Sequence, residues 1–353
     1  MGNWRNNRMY QEGNRTMGEY TASKTRYQEN DNTGFYRRCG RSGLKLSSLS
    51  LGFWHNFGTN DDYENMKQMC FAAFDHGITH FDLANNYGPV PGSAESNLGR
   101  ILREEMSAYR DELIISTKAG YDMWEGPYGD WGSKKYLIAS LDQSLKRMGL
   151  SYVDIFYHHR MDPETPLEET MGALAQIVRS GKALYVGLSN YDGETMARAE
   201  KILDELHCPF VINQNSYNIL NRTVEHYGIL KQGYISGKGM ICFSPLAQGM
   251  LTDRYLKEIP ADSRVLRDGR FLHEDQVLFT RPLLLKLDEI AESYGMSLSE
   301  LAIAWLLQKK EVTSVLIGAS RPEQILKNLE AVRKHEKAKL PEEELQKIDE
   351  VIK

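Results

Sequence analysis

Polar and ionisable side chains end a series of short apolar runs along this 353-residue sequence. Asp82 ends one run, Lys118 ends the next, and the adjacent His158 and His159 end a third. If these runs are neighbouring parallel strands, their carboxyl ends meet at one rim, so the Asp, the Lys and one His would share a half-buried mouth. Buried charges are tolerated when they are paired, so the set indicates a functional cluster although each residue alone has an ordinary structural explanation.

Tyr87 lies in the loop after Asp82 and could act as a proton donor. A free phenol has a pKa near 10, which makes it a poor acid at neutral pH. An ammonium about 4 Å away, at an effective dielectric constant of about 20, would favour the phenolate by roughly 4 kcal/mol. We therefore expect Lys118 to lower the pKa of Tyr87 while Asp82 holds Lys118. His159 would orient a carbonyl oxygen or relay a proton, and the set would protonate the alkoxide formed when hydride reaches the carbonyl carbon.

No side chain of this set carries hydride, so the reaction needs a bound cofactor. The sequence has neither a G-x-G-x-x-G fingerprint nor a Walker loop, which excludes the commonest dinucleotide and nucleotide cradles but not a barrel-type site. Ser189, Asn190 and Gln214 follow or end two further runs and form an amide and hydroxyl cluster suited to a carboxamide. Phe243 could stack on a flat ring.

A phosphate contact is suggested by the segment 318–324, which follows the last apolar run and opens a helix. Free backbone N–H groups and the positive end of the helix dipole attract anions at such a position. Arg321 adds a cation. The Ser-x-Pro-Glu pattern of the same segment is also an ordinary helix start, so the segment by itself leaves both interpretations open.

Eight β-type runs alternate with amphipathic helical stretches over most of the chain. Most of the runs are continuously apolar, as expected of parallel strands that are covered on both sides. Eight β-then-α units predict an α/β fold of the (β/α)8 TIM barrel type rather than an open doubly wound sheet. The predicted strands are 49–53, 79–84, 113–118, 153–159, 184–189, 210–215, 240–244 and 314–318.

The segments around the predicted barrel differ from it in composition. Residues 1–34 are polar and lack aliphatic periodicity, which predicts a mobile N-terminal extension before an enzyme domain at 35–353. Two short β-type segments flank a turn at 40–43 and predict an N-terminal β-hairpin. The longest irregular stretch, 247–280, would lie over the active face. Residues 341–353 predict an extra C-terminal helix.

Composition excludes several classes of protein. A formal net charge of −5 and a pI near 6.0 argue against nucleic acid as the main partner. Four cysteines without C-x-x-C spacing indicate reduced thiols, and no apolar run reaches the roughly 18 residues of a membrane span. We expect a soluble cytoplasmic protein with no membrane segment and no metal.

The sequence resembles the aldo-keto reductase superfamily. The matching motifs keep the family's order along the chain and lie at 77–88, 115–118, 152–159, 187–190, 243–246 and 316–321. Within the superfamily, the segments 121–129 and 142–149 are most similar to bacterial L-glyceraldehyde 3-phosphate reductases and to potassium-channel β subunits. The resemblance also implies a homotetramer or homo-octamer.

The resemblance implies a set of site residues. The catalytic residues would be Asp82, Tyr87, Lys118 and His159, with Tyr87 as proton donor. The nicotinamide of the cofactor, NADPH, would be bound by Ser189, Asn190, Gln214 and Phe243. Its pyrophosphate would be bound by the loop that begins at Ser244 and includes Leu246, Gln248, Gly249 and Arg254, and its adenosine by Arg264, Ser320, Arg321, Gln324 and Asn328. Trp54, Asp82, Pro245 and Gly318 would also bind the cofactor. The substrate would contact Trp54, Tyr87, Tyr121, Trp124 and His159. Lys327 departs from the Glu that relatives often have near the adenine.

The expected function is NADPH-dependent reduction of small aldehydes such as L-glyceraldehyde 3-phosphate or methylglyoxal. One alternative is a regulatory barrel of the channel β-subunit type that senses NADPH, although His159 stands where those subunits commonly have Asn. A second alternative is a metal-dependent hydrolase that uses His80 and Asp82. Lys118 and His159 would be poor further ligands for a divalent ion.

Overall fold

The computed structural model describes residues 20–28, 34–261, 263–267, 272–337 and 339–352, with the backbone alone at 264, 267 and 335–337. The strands in these residues are β1 (Tyr36–Arg38), β2 (Lys45–Ser47), β3 (Leu49–Gly52), β4 (His80–Asp82), β5 (Ile114–Ala119), β6 (Val153–His158), β7 (Ala183–Ser189), β8 (Phe210–Ser216), β9 (Gly239–Phe243) and β10 (Val312–Ile317). Strands β3 to β10 form a closed barrel in chain order, and β10 pairs in parallel with β3 to complete it. The predicted (β/α)8 barrel is confirmed.

Helices cover the outside of the barrel. They are α1 (Tyr63–Asp75), α2 (Ser93–Ile101), α3 (Lys134–Met148), α4 (Leu167–Arg179), α5 (Gly193–Glu205), α6 (Thr223–His226), α7 (Ile229–Ser236), α8 (Arg264–Arg267), α9 (Glu274–Ser293), α10 (Leu298–Gln308), α11 (Pro322–Lys337) and α12 (Glu342–Ile352). A π-helical turn at Leu102–Met106 and a 3-10 helix at Ser107–Glu112 join α2 to the next strand. In the described part of the chain, no helix is long and apolar enough to cross a membrane.

The N-terminal hairpin closes the amino-terminal end of the barrel. β1 and β2 pair antiparallel, with Tyr36 opposite Ser47. Leu46 and Cys39 are fully buried and pack with the side chains that fill the barrel interior. The Cys39 thiol donates to the carbonyl of Val211 at 3.3 Å, near the start of β8. This arrangement confirms the predicted hairpin and leaves the carboxyl ends of the strands as the open end.

The irregular segment after β9 is shorter than expected. The sequence predicts a loop over 247–280, whereas helix α9 already begins at Glu274 and contains Pro282. The helix starts early because its first turn carries Glu274 and Asp275, which favour a helix N-terminus, and His273 and Gln276 form a capping box there. The predicted C-terminal helix is present as α12.

Part of the predicted mobile extension is packed against the barrel's helices. The Tyr20 ring stacks on Phe71 of α1 with centroids 3.9 Å apart, and its hydroxyl donates to Asp75 at 2.6 Å. Arg26 pairs with Glu112 at 2.5 Å. The aromatic and charged side chains of residues 20–28 thus have specific partners in the helical layer, and mobility of the extension stays a prediction. The remainder, 1–19 and 29–33, lies outside the described residues.

Gly187 tests how tightly the barrel interior is packed. A Cβ at this position in β7 would lie 2.3 Å from Cδ1 and Cε1 of the fully buried Tyr157 ring. Gly187→Ala should therefore lower the free energy of unfolding by about 1–3 kcal/mol, the usual cost of overpacking. Urea unfolding followed by circular dichroism measures the change. In the control, Gly172→Ala in α4, the new Cβ meets nothing within 4 Å and should be neutral or stabilising. Equal stability of the two variants would contradict the packing argument.

Candidate active site

A buried ion pair lies in the barrel interior near the carboxyl ends of β4 and β5. Lys118 Nζ and Asp82 Oδ2 are 2.5 Å apart, and neither side chain is exposed. The ammonium also donates to the carbonyl of Leu83 at 2.6 Å. The other carboxylate oxygen of Asp82 accepts from Ser116 Oγ at 2.6 Å and from Gln214 Nε2 at 3.2 Å. Both charges are thus paired and hydrogen-bonded, as burial of an ion pair requires.

Tyr87 lies beside this ion pair. The ammonium of Lys118 is 5.0 Å from the centroid of the Tyr87 ring. Burial, followed by the charge of Asp82 and by Tyr121, raises the pKa of Tyr87 well above 10. The expected lowering of this pKa by Lys118 is therefore wrong for the structure as it stands. Among the described residues, the ammonium makes its hydrogen bonds to Asp82 and Leu83 rather than to the phenol, and Asp82 offsets its charge.

The two adjacent histidines face different surroundings. His159 follows β6 at the rim, and its ring is edge-on to Tyr87 with centroids 5.8 Å apart. His158, the last residue of β6, is fully buried, and its Nδ1 is 2.6 Å from the hydroxyl of Tyr191. Burial, with Lys118 as the largest charge contribution, lowers the pKa of His159 well below 6.5. His159 is therefore neutral at neutral pH and carries one ring N–H.

The predicted nicotinamide contacts gather at the ends of β7 and β8. The Asn190 amide donates to the carbonyl of His159 at 2.9 Å and to the hydroxyl of Ser189 at 3.2 Å. Asn190 holds a left-handed backbone with φ of 57°. Gln214 is buried and oriented by its bond to Asp82. These contacts join the predicted cofactor cluster directly to the ion pair. Phe243 ends the adjacent β9.

The loop after β9 has an unusual backbone. Ser244, Ala247 and Gln248 all lie in the left-handed region, with φ of 54°, 47° and 60°. Non-glycine residues adopt this conformation at a cost of about 1–3 kcal/mol each, and they cluster at ligand-binding sites. The loop is held by the Asn218 amide, which donates to the carbonyl of Ser244 at 2.8 Å. Pro245, Leu246 and Gly249 of the predicted pyrophosphate loop lie within this turn, and Arg254 lies in the 3-10 turn that follows.

All of the predicted adenosine contacts except Arg264 of α8 lie in α11 or just before it. Gln324 Oε1 accepts from the backbone N–H of Ser320 at 2.8 Å, which confirms the helix start. Arg321 is exposed, and its guanidinium is 4.0 Å from Glu323. Gly318 precedes this helix and is exposed, Asn328 is buried within it, and the Arg264 side chain lies outside the described residues.

Lys327, the residue that departs from the family pattern, has a partner in this structure. Its ammonium lies 3.6 Å from Asp253, in the 3-10 turn after β9. Both side chains are about half exposed, so the pair is worth little in stability. It nevertheless joins α11 to the loop after β9, and these segments carry the predicted contacts for the adenosine and for the pyrophosphate of the cofactor.

Three aromatic residues, Trp54, Tyr121 and Trp124, are predicted substrate contacts outside the four predicted catalytic residues. The Trp54 ring lies 6.4 Å from the Tyr87 ring, and Tyr121 meets His159 edge-on at 4.7 Å. Trp124 contacts Tyr136 of α3 at 5.2 Å. The structure thus brings Trp54 next to Tyr87 and Tyr121 next to His159, whereas the Trp124 ring packs against the helical layer.

Sequence reasoning missed two groups that hold the ion pair, the Ser116 hydroxyl and the Leu83 carbonyl. Ser116 and Lys118 occupy alternate positions of β5, so they share the inward face, and strand alternation could have indicated Ser116. The carbonyl of Leu83 gives no side-chain signal. For the described residues, no group of three or more His, Cys, Asp or Glu side chains is placed to hold a metal ion.

Comparison with known proteins shows the family of this chain. A model of the aldo/keto reductase family matches residues 48–353. The chain belongs to the aldo/keto reductase family. Members typically use NAD(P)H, and this chain is an oxidoreductase with a small-molecule substrate.

Three relatives of this aldo/keto reductase carry two kinds of name. L-glyceraldehyde 3-phosphate reductase of Escherichia coli O157:H7 is 55% identical over 321 residues, 90% of this chain and 92% of that protein. The protein of the same name from strain K12 is 57% identical over 301 residues, 84% of this chain and 87% of its own. A putative voltage-gated potassium channel subunit beta of Schizosaccharomyces pombe is 37% identical over 341 residues, 94% and 96% of the two chains.

Buried histidines should make this aldo/keto reductase less stable in acid. Burial lowers the pKa of His80 and of His158 to about 4, while an unfolded histidine titrates near 6.5. Between these values the unfolded chain binds protons that the folded chain does not, so stability falls as the pH falls. Each histidine contributes up to about 1.4 kcal/mol per pH unit. Urea unfolding at several pH values from 7 to 4.5 measures this slope.

His158→Asn is the matched variant for this slope. An Asn carbonyl oxygen can still accept from Tyr191, but the side chain no longer titrates. The variant should therefore lose stability less steeply on acidification than the wild type. An unchanged slope would mean that His158 does not contribute to it.

Proposed function

We propose that this chain reduces small aldehydes with NADPH and that Tyr87 donates the proton. The observation that supports this proposal is the Asp82 and Lys118 ion pair next to a protonated phenol and a neutral imidazole at the open end of the barrel. Such a mouth offers hydrogen-bond donors to a carbonyl oxygen and a positive charge near the place where negative charge develops.

The proton would come from a phenol that is fully protonated at rest. The raised pKa of Tyr87 keeps its proton in place at neutral pH. The alkoxide of a reduced carbonyl is a much stronger base than a phenolate, so donation is favourable once that alkoxide forms. The ammonium of Lys118, 5.0 Å from the ring, would then stabilise the phenolate, and Asp82 would offset part of that effect. Lys118 therefore assists after the proton leaves rather than by making Tyr87 acidic beforehand.

His159 would orient the substrate. Its ring is neutral, and its Nδ1 has no hydrogen-bond partner among the described residues. A neutral imidazole can donate its single N–H to a carbonyl oxygen without bringing a second positive charge next to Lys118. Trp54 and Tyr121, which contact Tyr87 and His159, would form apolar walls around a small substrate.

The residues present fit a nicotinamide cofactor. When bound, NADPH would supply the hydride. Asn190 and Gln214 present amide groups beside the ion pair, where they would hold a carboxamide, and Phe243 would pack against the ring. The strained turn at Ser244 to Gln248 and the N-terminal end of α11 would receive phosphates. Arg321 at that helix start would pair with a 2′-phosphate, which favours NADPH over NADH.

Aldehydes of the glyceraldehyde 3-phosphate class are the first substrates to test. The two relatives named L-glyceraldehyde 3-phosphate reductase are 55% and 57% identical to this chain over most of its length. Methylglyoxal is a second small aldehyde for the same panel. The more distant relative named as a channel subunit keeps open a regulatory role with little turnover. Steady-state oxidation of NADPH with these aldehydes would favour the enzyme, and binding without turnover would favour the regulatory role.

Replacing Tyr87 tests the proton donor. Tyr87→Phe should lower kcat by about 10² to 10⁴, the range expected for loss of a general acid, because the ring stays in place and only the hydroxyl is removed. Steady-state NADPH oxidation measures the loss. Tyr234→Phe, at an exposed position of α7, makes the same chemical change and should leave kcat unaltered. Full turnover in Tyr87→Phe would refute the assignment.

Replacing Arg321 tests the choice of cofactor. Arg321→Ala should raise the Kd for NADPH about 10- to 100-fold and change the Kd for NADH little, because only NADPH carries the 2′-phosphate that a guanidinium can pair with. Titration of protein fluorescence with each nucleotide measures both constants. Arg103→Ala is a matched control, since the Arg103 side chain is 69% exposed and that of Arg321 is 68% exposed. Equal losses for both nucleotides would place the 2′-phosphate site elsewhere.

A further inference from the structure

A hydrogen-bonded chain runs through the barrel interior from the hairpin to the ion pair. Ser314 Oγ donates to the carbonyl of Ser47 at 2.7 Å and lies 2.6 Å from Ser50 Oγ. Ser50 Oγ is 2.8 Å from His80 Nδ1, and His80 Nε2 is 2.9 Å from Ser116 Oγ. The Ser116 hydroxyl then donates to Asp82. The serines, His80 and Asp82 are all buried, so water does not compete for these contacts.

The number of available protons limits how many contacts in this series can be hydrogen bonds. Five contacts join the carbonyl of Ser47 to the carboxylate of Asp82, and both ends only accept. Three hydroxyls bring one proton each, and a neutral imidazole brings one more. With a neutral imidazole, four protons are therefore available for five contacts, so one contact lacks a proton. A doubly protonated His80 would fill all of them.

The ionised carboxylate of Asp82 determines which atoms donate the hydrogen bonds at the active-site end of the series. Asp82 is paired with Lys118 and accepts hydrogen bonds, so the single proton of Ser116 goes to Asp82, where the bond is charge-assisted. The contact between His80 Nε2 and Ser116 Oγ at 2.9 Å can then be a hydrogen bond only if Nε2 is the donor. Burial, with Lys118 adding and Asp82 opposing, lowers the pKa of His80, which makes the singly protonated ring the main form at neutral pH.

We propose that His80 is a positioning residue of the active site. Its Nε2–H donates to Ser116, so that the Ser116 hydroxyl keeps its proton directed at Asp82 and Asp82 keeps the orientation in which it holds Lys118. His80 does not reach the mouth or touch the substrate; it acts through Ser116. The effect on turnover rests on the proposed reductase function, whereas the state of the His80 ring does not.

Two amide substitutions separate this role from simple packing. In His80→Gln the amide nitrogen can occupy the place of Nε2 and still donate to Ser116. In His80→Asn the shorter side chain reaches only the place of Nδ1, so its amide can bond to Ser50 but not to Ser116. Both variants remove the titratable ring. We expect kcat to fall about tenfold or more in His80→Asn with KM little changed, and to stay within about threefold of wild type in His80→Gln. Equal kcat values in the two variants would overturn the proposal.

A double-mutant cycle tests whether His80 acts through Ser116. If it does, His80→Asn should lower kcat no further in a Ser116→Ala background, because the intermediary is already absent. Fully additive losses would overturn the proposal. Urea unfolding of each variant reports its stability separately, so a general loss of fold is recognised as such.

The protonation of the two ring nitrogens of His80 is measured by ¹⁵N NMR of histidine-labelled wild-type protein. The His80 signals are assigned by their absence from the spectrum of His80→Gln or His80→Asn. A ring protonated at Nε2 is expected at pH 7, and a bare Nε2 would overturn the proposal whatever the kcat of the variant used for the assignment. Wild-type protein that turns over no aldehyde with NADPH would contradict the proposed function, and the NMR result would still decide the state of His80.

Discussion

The ammonium of Lys118 and the carboxylate of Asp82 lie together inside the barrel with no exposure to solvent. Removing both charges from water is costly, and their attraction offsets that cost only if the remaining lone pairs and N–H groups are also bonded. The barrel meets this requirement with one group from each of several strands and loops. Ser116 comes from β5, Gln214 from β8 and the Leu83 carbonyl from the loop after β4. A closed barrel suits this task because it points the ends of all its strands at one place.

The ion pair also determines the state of the groups around it. It places a positive charge near His159, which together with burial keeps that imidazole neutral. It places a negative charge near Tyr87, which together with burial keeps that phenol protonated. Before any reaction, the mouth of the barrel therefore holds a protonated Tyr87 phenol and, beside it, the neutral His159 imidazole as a hydrogen-bond donor. Strain in the neighbouring turn at Ser244 to Gln248 persists because hydrogen bonds such as that from Asn218 fix the backbone there.

Periodicity predicted the barrel well because parallel strands covered on both sides leave a strong sequence pattern. The runs ending at Asp82 and Lys118 became β4 and β5, and the polar residues at their ends meet as expected. The alternation of side chains along these two strands also predicts which other residues point into the barrel. His80 precedes Asp82 by one strand period, as Ser116 precedes Lys118, and all four share the barrel interior. The packing of residues 20–28 left no such pattern, because it depends on single contacts such as Tyr20 with Asp75.

By itself, the sequence determined the eight-stranded architecture, the family and the identity of the residues at the strand ends, because these follow from local pattern and motif. Only the tertiary structure decided how those residues affect one another. Burial, and after it the charge of Asp82, raises the pKa of the Tyr87 phenol instead of lowering it, while the ammonium of Lys118 donates to Asp82 and Leu83. Electrostatic effects depend on distance, burial and hydrogen-bond direction among residues far apart in the chain, and none of these is set by spacing along the sequence.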